Sequence, residues 1–396
     1  MKHILQVFGR FIFVPLSIFL FPGCKQKTPY KSTESIKTPF EIGESIKLHS
    51  TILNENYNVY VSVPDDYEKN SEKYPVIYVL DGKYHFPVVT AAANLLYSYQ
   101  KIPKCIVVGI GTNNRDRDYT PPLVNGFSKP GAMSSAGGAD AYLEHIEKEL
   151  LPFVETHYRT QPYRVIIGHS LGGLFAVHAL INRPLLFEAC LNIDGSLWFN
   201  DGATGNALIT YLKTHPDYKG NFMWVKEKMD TGYWFPITRI LHNYLENQKP
   251  VNLNYKFIEI ENDEHETLIY PGAYAALKEL YKNYPYHFTE TSNLEDIIKH
   301  FDMLSIAFNY KVAIPENIYA VDVDHCKMVL KNMDKAVITC EKWMNDYPNS
   351  AYAMEVTGNT YLQMGKKDLA IKYLKKSLEL DPGNNSAKEA LKKLQG

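Results

Sequence analysis

The chain has 396 residues, room for two or three domains at about 150 residues each, so a single small module is excluded. Its 42 Lys and Arg against 44 Asp and Glu leave a net charge of -2 and no basic run that could track phosphates, which argues against a nucleic-acid partner. Hydrophobic residues at 45 % and charged residues at 22 % are ordinary globular usage and exclude wholesale disorder.

Residues 1–23 place Lys2, His3 and Arg10 before the apolar run Phe11 to Phe21, then Pro22-Gly23. That order is an export signal, and the run falls short of the about 20 apolar residues of a membrane span. The small residue before Cys24 resembles the lipobox of bacterial lipoproteins. The resemblance implies cleavage before Cys24, lipidation of that cysteine and an exported lipoprotein of the bacterial cell envelope, on its periplasmic side or at the cell surface. Phe21 and Pro22 depart from the usual Leu and Ser or Ala, leaving a plain signal or a retained anchor as the alternative. Residues 24–45 are polar, hold two prolines and show no sustained period, which suits a tether.

Folded structure is expected from Ile46. Asn58 to Val63 alternates, whereas Tyr74 to Leu80 and Lys104 to Gly109 are near-continuous β-branched runs. A helix is predicted over Ala139 to Glu155, and further strands over Arg164 to Ile167, Ala189 to Ile193, Phe222 to Val225 and Tyr255 to Ile260. Continuous apolar strands separated by helices predict an α/β domain over 46–312, with a mostly parallel sheet covered on both faces.

Residues 313–396 lose the strands and become helix-rich. Aligning 333–348 with 367–382 superposes Asp334 on Asp368, Ala336 on Ala370 and Pro348 on Pro382, a 34-residue register. That period is the tetratricopeptide signature. The second unit carries Ala353, Gly358, Tyr361, Gly365, Ala370 and Tyr373 at fitting positions, while the first lacks small residues in its opening helix. Two units fall short of the three usually needed to stand alone, so they are expected to lean on the α/β domain and to offer a surface for a protein partner. Of the remaining cysteines, Cys105 and Cys190 lie in strand-like runs as expected buried thiols, and a Cys326–Cys340 disulfide stays open. No CxxC or Cys/His spacing calls for a metal, and no cofactor is expected.

The segment RVIIGHSLGG, Arg164 to Gly173, runs from a strand through Gly168-His169-Ser170-Leu171-Gly172 into the helix-like LFAVHAL. This is a nucleophile elbow in strand and helix context, with Ser170 as the expected nucleophile. A serine hydroxyl needs a base to take its proton, and the chain order Ser, acid, His places that base after the last core strand, at His265. His169 and His178 are expected to pack or to make local hydrogen bonds. The acid should follow Phe222 to Val225: Glu227 is favoured, with Asp230, Asp194 or no acid at all left open. An oxyanion needs aimed donors. The amide of Leu171 is one, and the turn Asp81-Gly82-Lys83 supplies the other from Lys83 or Gly82.

VIYVLDGKYHF, VVGIGTNNRDRDYTPP, IGHSLGGLFAVHAL, GSLWFN and ENDEHETLIYPGAY together resemble the α/β-hydrolase esterase family of esterase D, feruloyl esterases, mycolyltransferases and siderophore esterases, over about residues 46–312. The resemblance implies Ser170 as nucleophile, His265 as base, and Leu171 with Lys83 as oxyanion amides. It places Arg115, Arg117, Asp118, Tyr119 and Trp198 near the substrate, where the arginines either bind a polar group or fix a loop by ion pairing. It implies a serine carboxylic-ester hydrolase, acting on a siderophore, feruloyl, acetyl, carbohydrate-linked or simple acyl ester. The alternatives are an acyltransferase of the same fold, or a non-catalytic lipoprotein that binds partners through its repeats.

Overall fold

Strands that are apolar on both faces need a layer on each side, and the chain supplies two. The computed structural model describes residues 37–123, 135–228 and 235–395. The expected export signal over residues 1–23, Cys24 and Asp230 lie outside them. From Ile42 onward the described residues belong to one compact unit.

β1 (Glu44–Ser50) and β2 (Glu55–Ser62) form an antiparallel hairpin. β3 (Tyr74–Val79) leads into α1 (Gly82–Ser98), and β4 (Ile106–Ile110) into the short α2 (Arg115–Tyr119). The helix predicted from Ala139 is three pieces: α3 (Ala139–His145), a π-helical turn at Ile146–Leu150, and α4 (Leu151–His157). Pro152, which has no N–H for the preceding turn, lies just past that wider turn. β5 (Thr160–His169), α5 (Leu171–Asn182), β6 (Ala189–Ile193), α6 (Phe199–Thr214), β7 (Gly220–Glu227), α7 (Pro236–Gln248), β8 (Leu253–Ile260), α8 (Ile269–Leu280) and α9 (Leu294–Phe308) complete the α/β part.

The sheet order is β1-β2-β4-β3-β5-β6-β7-β8, antiparallel at the β1/β2/β4 edge and parallel from β4 to β8. Strand alternation sorts side chains into two cores. Ile77, Val79, Val165, Ile167, Leu191 and Ile193 face α1, α8 and α9, while Tyr78, Ile166, Cys190 and Trp224 face α3, α5, α6 and α7.

The C-terminal helices are α10 (Glu316–Met328), α11 (Met333–Asp346), α12 (Ala351–Gln363), α13 (Lys367–Leu380) and α14 (Asn385–Gln395). They do lean on the α/β part, since Tyr319, Trp343 and Ala353 belong to the same core as α8 and α9. A Cβ on Gly358 would meet Leu374 Cγ at 2.7 Å, so glycine is what lets α12 and α13 approach. Cys105, Cys190, Cys326 and Cys340 are free thiols.

Candidate active site

The turns that follow β3, β5, β6 and β8 all leave the same edge of the sheet, because those strands are parallel. Each turn passes through the left-handed region: Asp81 at φ 56°, Ser170 at φ 57°, Asp194 at φ 42° and Asn262 at φ 57°. Non-glycine residues held there are strained, and such strain collects at functional sites.

Ser170 sits between β5 and α5 with ψ -119°. The elbow is tight enough to demand its glycines: a Cβ on Gly168 would lie 2.2 Å from Gly172 O, and one on Gly173 would lie 2.6 Å from Gly195 Cα. The Ser170 hydroxyl is hydrogen-bonded to Ser196 Oγ at 3.2 Å, and Ser196 N donates to Ser170 O at 2.9 Å. Leu171 opens α5, and Lys83 lies in the first turn of α1, where backbone N–H groups have no partner within the helix. The two helix starts are neighbours, since a Cβ on Gly172 would lie 3.4 Å from Asp81 Oδ2.

His265 lies in the loop after β8 and is about one-third exposed. Its Nδ1 meets Asp194 Oδ2 at 2.6 Å, and Lys226 Nζ binds the other carboxylate oxygen. The pairing corrects the expectation for Glu227. That residue ends β7, its backbone pairs with Ile260, and the carboxylate that reaches the imidazole is Asp194. The reason is position in the sheet: β6 adjoins β5, so the turn after β6 emerges beside the elbow, with Asp194 N bonded to Val225 O at 2.7 Å. The hydrogen bond that His265 donates to the Asp194 carboxylate raises the His265 pKa above its ordinary 6.5, against the opposing effect of burial. Burial pushes the Asp194 carboxyl up, but the His265 bond and the Lys226 charge outweigh it and hold the group below its usual range.

The residues assigned to substrate by resemblance are largely occupied by the protein. Arg115 Nε donates to Asp81 Oδ1 at 2.9 Å and its Nη2 to His169 O at 3.1 Å. Arg117 is paired with Glu55 and with Asp118, whose Oδ1 accepts from Nε at 2.6 Å. Tyr119 is fully buried, and its hydroxyl accepts from Asp81 N at 2.7 Å. Arg115 and Tyr119 thus fix the turn after β3, and Arg117 ties α2 to the start of β2. Trp198 does remain open at 38 % exposure, stacked on Phe235 with ring centroids 5.4 Å apart.

A cavity of about 400 Å³ adjoins Lys83, lined also by Asn58, Tyr60, Tyr84, Thr112 and Asn113. Among the described residues no group of three or more His, Cys, Asp or Glu is arranged to hold a metal ion. Among the contacts that escaped the sequence reading are Ser196 on the Ser170 hydroxyl and Lys226 on Asp194. The block GSLWFN marked the neighbourhood of the first, but no local pattern announces either partner.

An eight-stranded, mostly parallel sheet with a serine elbow at its C-terminal edge defines an α/β-hydrolase fold. Residues 50–245 match the family described as Putative esterase, and residues 357–384 match the tetratricopeptide repeat. The chain thus carries an esterase-family domain with a tetratricopeptide repeat behind it. It is similar to the ferri-bacillibactin esterase BesA of Bacillus subtilis, 29 % identical over 194 residues, which is 44 % of this chain and 66 % of that protein. It is also similar to the siderophore triacetylfusarinine C esterase of Aspergillus fumigatus, 31 % identical over 161 residues, 37 % of this chain and 53 % of that one. The chain therefore spans about half to two thirds of the length of these curated relatives. Among solved structures, an IroE-like serine hydrolase from Shewanella oneidensis superposes with a TM-score of 0.67 at 26 % identity, covering 77 % of this chain and 99 % of that one.

Proposed function

We propose that the chain is a serine carboxylic-ester hydrolase that works through an acyl-enzyme. The observation that carries this is the Asp194–His265 pair beside the strained Ser170 elbow. With Nδ1–H committed to Asp194, the imidazole carries its lone pair on Nε2, the nitrogen that accepts the Ser170 proton as Oγ attacks the ester carbon. The oxygen that becomes negative is received by the amides of Leu171 and Lys83. His265 then returns the proton to the leaving alcohol. Water, activated by the same imidazole, releases the acid and restores Ser170.

Siderophore esters are the substrate class we put first, because the similar proteins named above include a ferri-bacillibactin esterase and a triacetylfusarinine C esterase. Trp198 and Phe235 are the exposed aromatic surface next to the Ser196 segment against which such a substrate would lie. We place the enzyme at the cell envelope, held by a lipid on Cys24, with the helices after residue 312 as the surface for a protein partner.

Hydrolysis of short p-nitrophenyl esters and of a siderophore ester by wild type and Ser170→Ala is the deciding experiment. Activity lowered by at least about a thousandfold in the variant supports the reading. A wild type inert on both substrates, or a variant as active as wild type, overturns it. Ester transfer to added glycerol that exceeds hydrolysis replaces hydrolase by acyltransferase.

A further inference from the structure

We propose that His169 is a positioning residue that holds the loop of the general base over the elbow, by donating its Nε2–H to the main-chain carbonyl of His265. The inference rests on the serine-esterase reading above and adds to it a residue that neither the triad nor the oxyanion amides include. The bond is 2.6 Å long. A carbonyl can only accept, so the proton sits on Nε2 and the ring is fixed in that tautomer. The imidazole also lies against the ring of His265, with centroids 4.7 Å apart and planes at 39°. One side chain thereby sets both the height of the loop and the plane of the base.

His169 is also where the other turns of the site are joined. It is the last residue of β5, next to Ser170, and its own carbonyl accepts from Arg115 Nη2 at 3.1 Å. Arg115 in turn holds Asp81 at the start of the Lys83 turn. Elbow, base loop and oxyanion turn are thus linked through one residue that is only 7 % exposed.

The charged and titratable groups around His169 are His265 from the base loop, His85 from α1 at a ring distance of 5.7 Å, Asp194 from the turn after β6, and Arg115 from α2. Burial, and then the neighbouring His265, push the His169 imidazole down to about 4. A neutral ring suits the task, since a second cation would oppose the imidazolium that His265 becomes during attack.

The test uses the full chain, p-nitrophenyl acetate, and the variants His169→Phe and His169→Gln, with Ser170→Ala alongside. Phenylalanine fills the space and lacks the donor, whereas the Gln amide nitrogen reaches about where Nε2 stands. His169→Phe is expected to lose about 10- to 100-fold in kcat with KM changed less than about twofold, because a displaced base slows chemistry without weakening ground-state binding. His169→Gln is expected to recover kcat to within about threefold of wild type. If His169→Phe does not fold, His169→Asn takes its place, being polar but too short to reach the carbonyl. A Phe or Asn variant with wild-type kcat, or a Gln variant as slow as they are, overturns the inference while Ser170→Ala stays inactive. An active Ser170→Ala overturns the serine mechanism itself, and this inference with it.

Discussion

At Asp194 a single carboxylate sits between Lys226 and His265, and in the proposed reaction its value lies in the tautomer it imposes. Asp194→Asn keeps the shape, but its amide N–H can donate to Nδ1 and fix the wrong imidazole tautomer, so kcat is expected to fall by about 10²- to 10⁴-fold. Glu227→Gln, one strand further out, should stay within about threefold of wild type. In the proposed reaction the same pair should set the pH profile. His265 must be neutral to accept a proton, and its pKa lies above 6.5, so kcat/KM should fall on the acid side with a midpoint above 6.5. Residual activity of Asp194→Asn should show that midpoint displaced downward, because the hydrogen bond that favours the imidazolium is gone. A pH–rate series on the three proteins checks both statements; equal losses in the Asn and Gln variants would return the acid to open choice. The elbow at Ser170 and the place of His265 after β8 were legible in the chain because one is a local pattern and the other follows from strand order. The carboxylate that meets His265 was not, since choosing between the turns after β6 and β7 depends on which strand lies beside the elbow. The same holds for Arg115 and Arg117, whose partners Asp81 and Glu55 lie far away in sequence.

Among the elements, the strands were the most legible. β6 matches its expected range, Ala189–Ile193, and β3, β5 and β7 contain theirs or nearly so, because burial on both faces leaves an unbroken apolar run; the edge strand β8 contains its range too, though it alternates with exposed polar residues. The helical run from Ala139 was legible as helix but not as a helix with a π turn, which shifts the register of everything after Leu150. The repeat helices were legible through the small residues that let them touch. Gly358 is the clearest, and Gly358→Val tests it: the Cβ alone would meet Leu374 at 2.7 Å, so α12 and α13 must separate. A loss of about 1–3 kcal/mol is expected in the repeat region, visible as a lower thermal midpoint, with little change in hydrolysis of short esters. An unchanged midpoint would show that the pair tolerates a wider crossing than the structure has.

Over the whole molecule, the helical region is not an appendage on a string. Ile318, Tyr319, Trp343 and Ala353 are buried in the core that also holds α8, α9 and one face of the sheet. Tyr347 donates to Ile314 O at 2.8 Å, and Trp343 Nε1 donates to Glu316 Oε2 at 2.8 Å, closing the junction. Ending the chain near Asn309 removes large side chains from that core, among them Ile318, Tyr319 and Trp343, each worth about 1.5–3 kcal/mol when fully buried. The shortened protein is therefore expected to be poorly soluble or to unfold well below the full chain, as scanning calorimetry or a denaturant series would show. A truncated protein with the thermal midpoint of the full chain would make the repeats dispensable to the fold.

The left-handed turns at Asp81, Ser170, Asp194 and Asn262 have a consequence for how such a protein can be improved. The sheet holds these residues in conformations that most side chains avoid, so the reactive geometry and the stability of the chain pull in opposite directions. Ser170→Gly should be inactive yet more stable than wild type by about 1 kcal/mol, after allowing for the greater freedom of glycine when unfolded. Selection for heat resistance alone would then drift toward a chain that survives better and does nothing. A programme of stabilisation has to screen turnover together with survival, and to draw its substitutions from the helices and the outer strands, leaving the four turns alone.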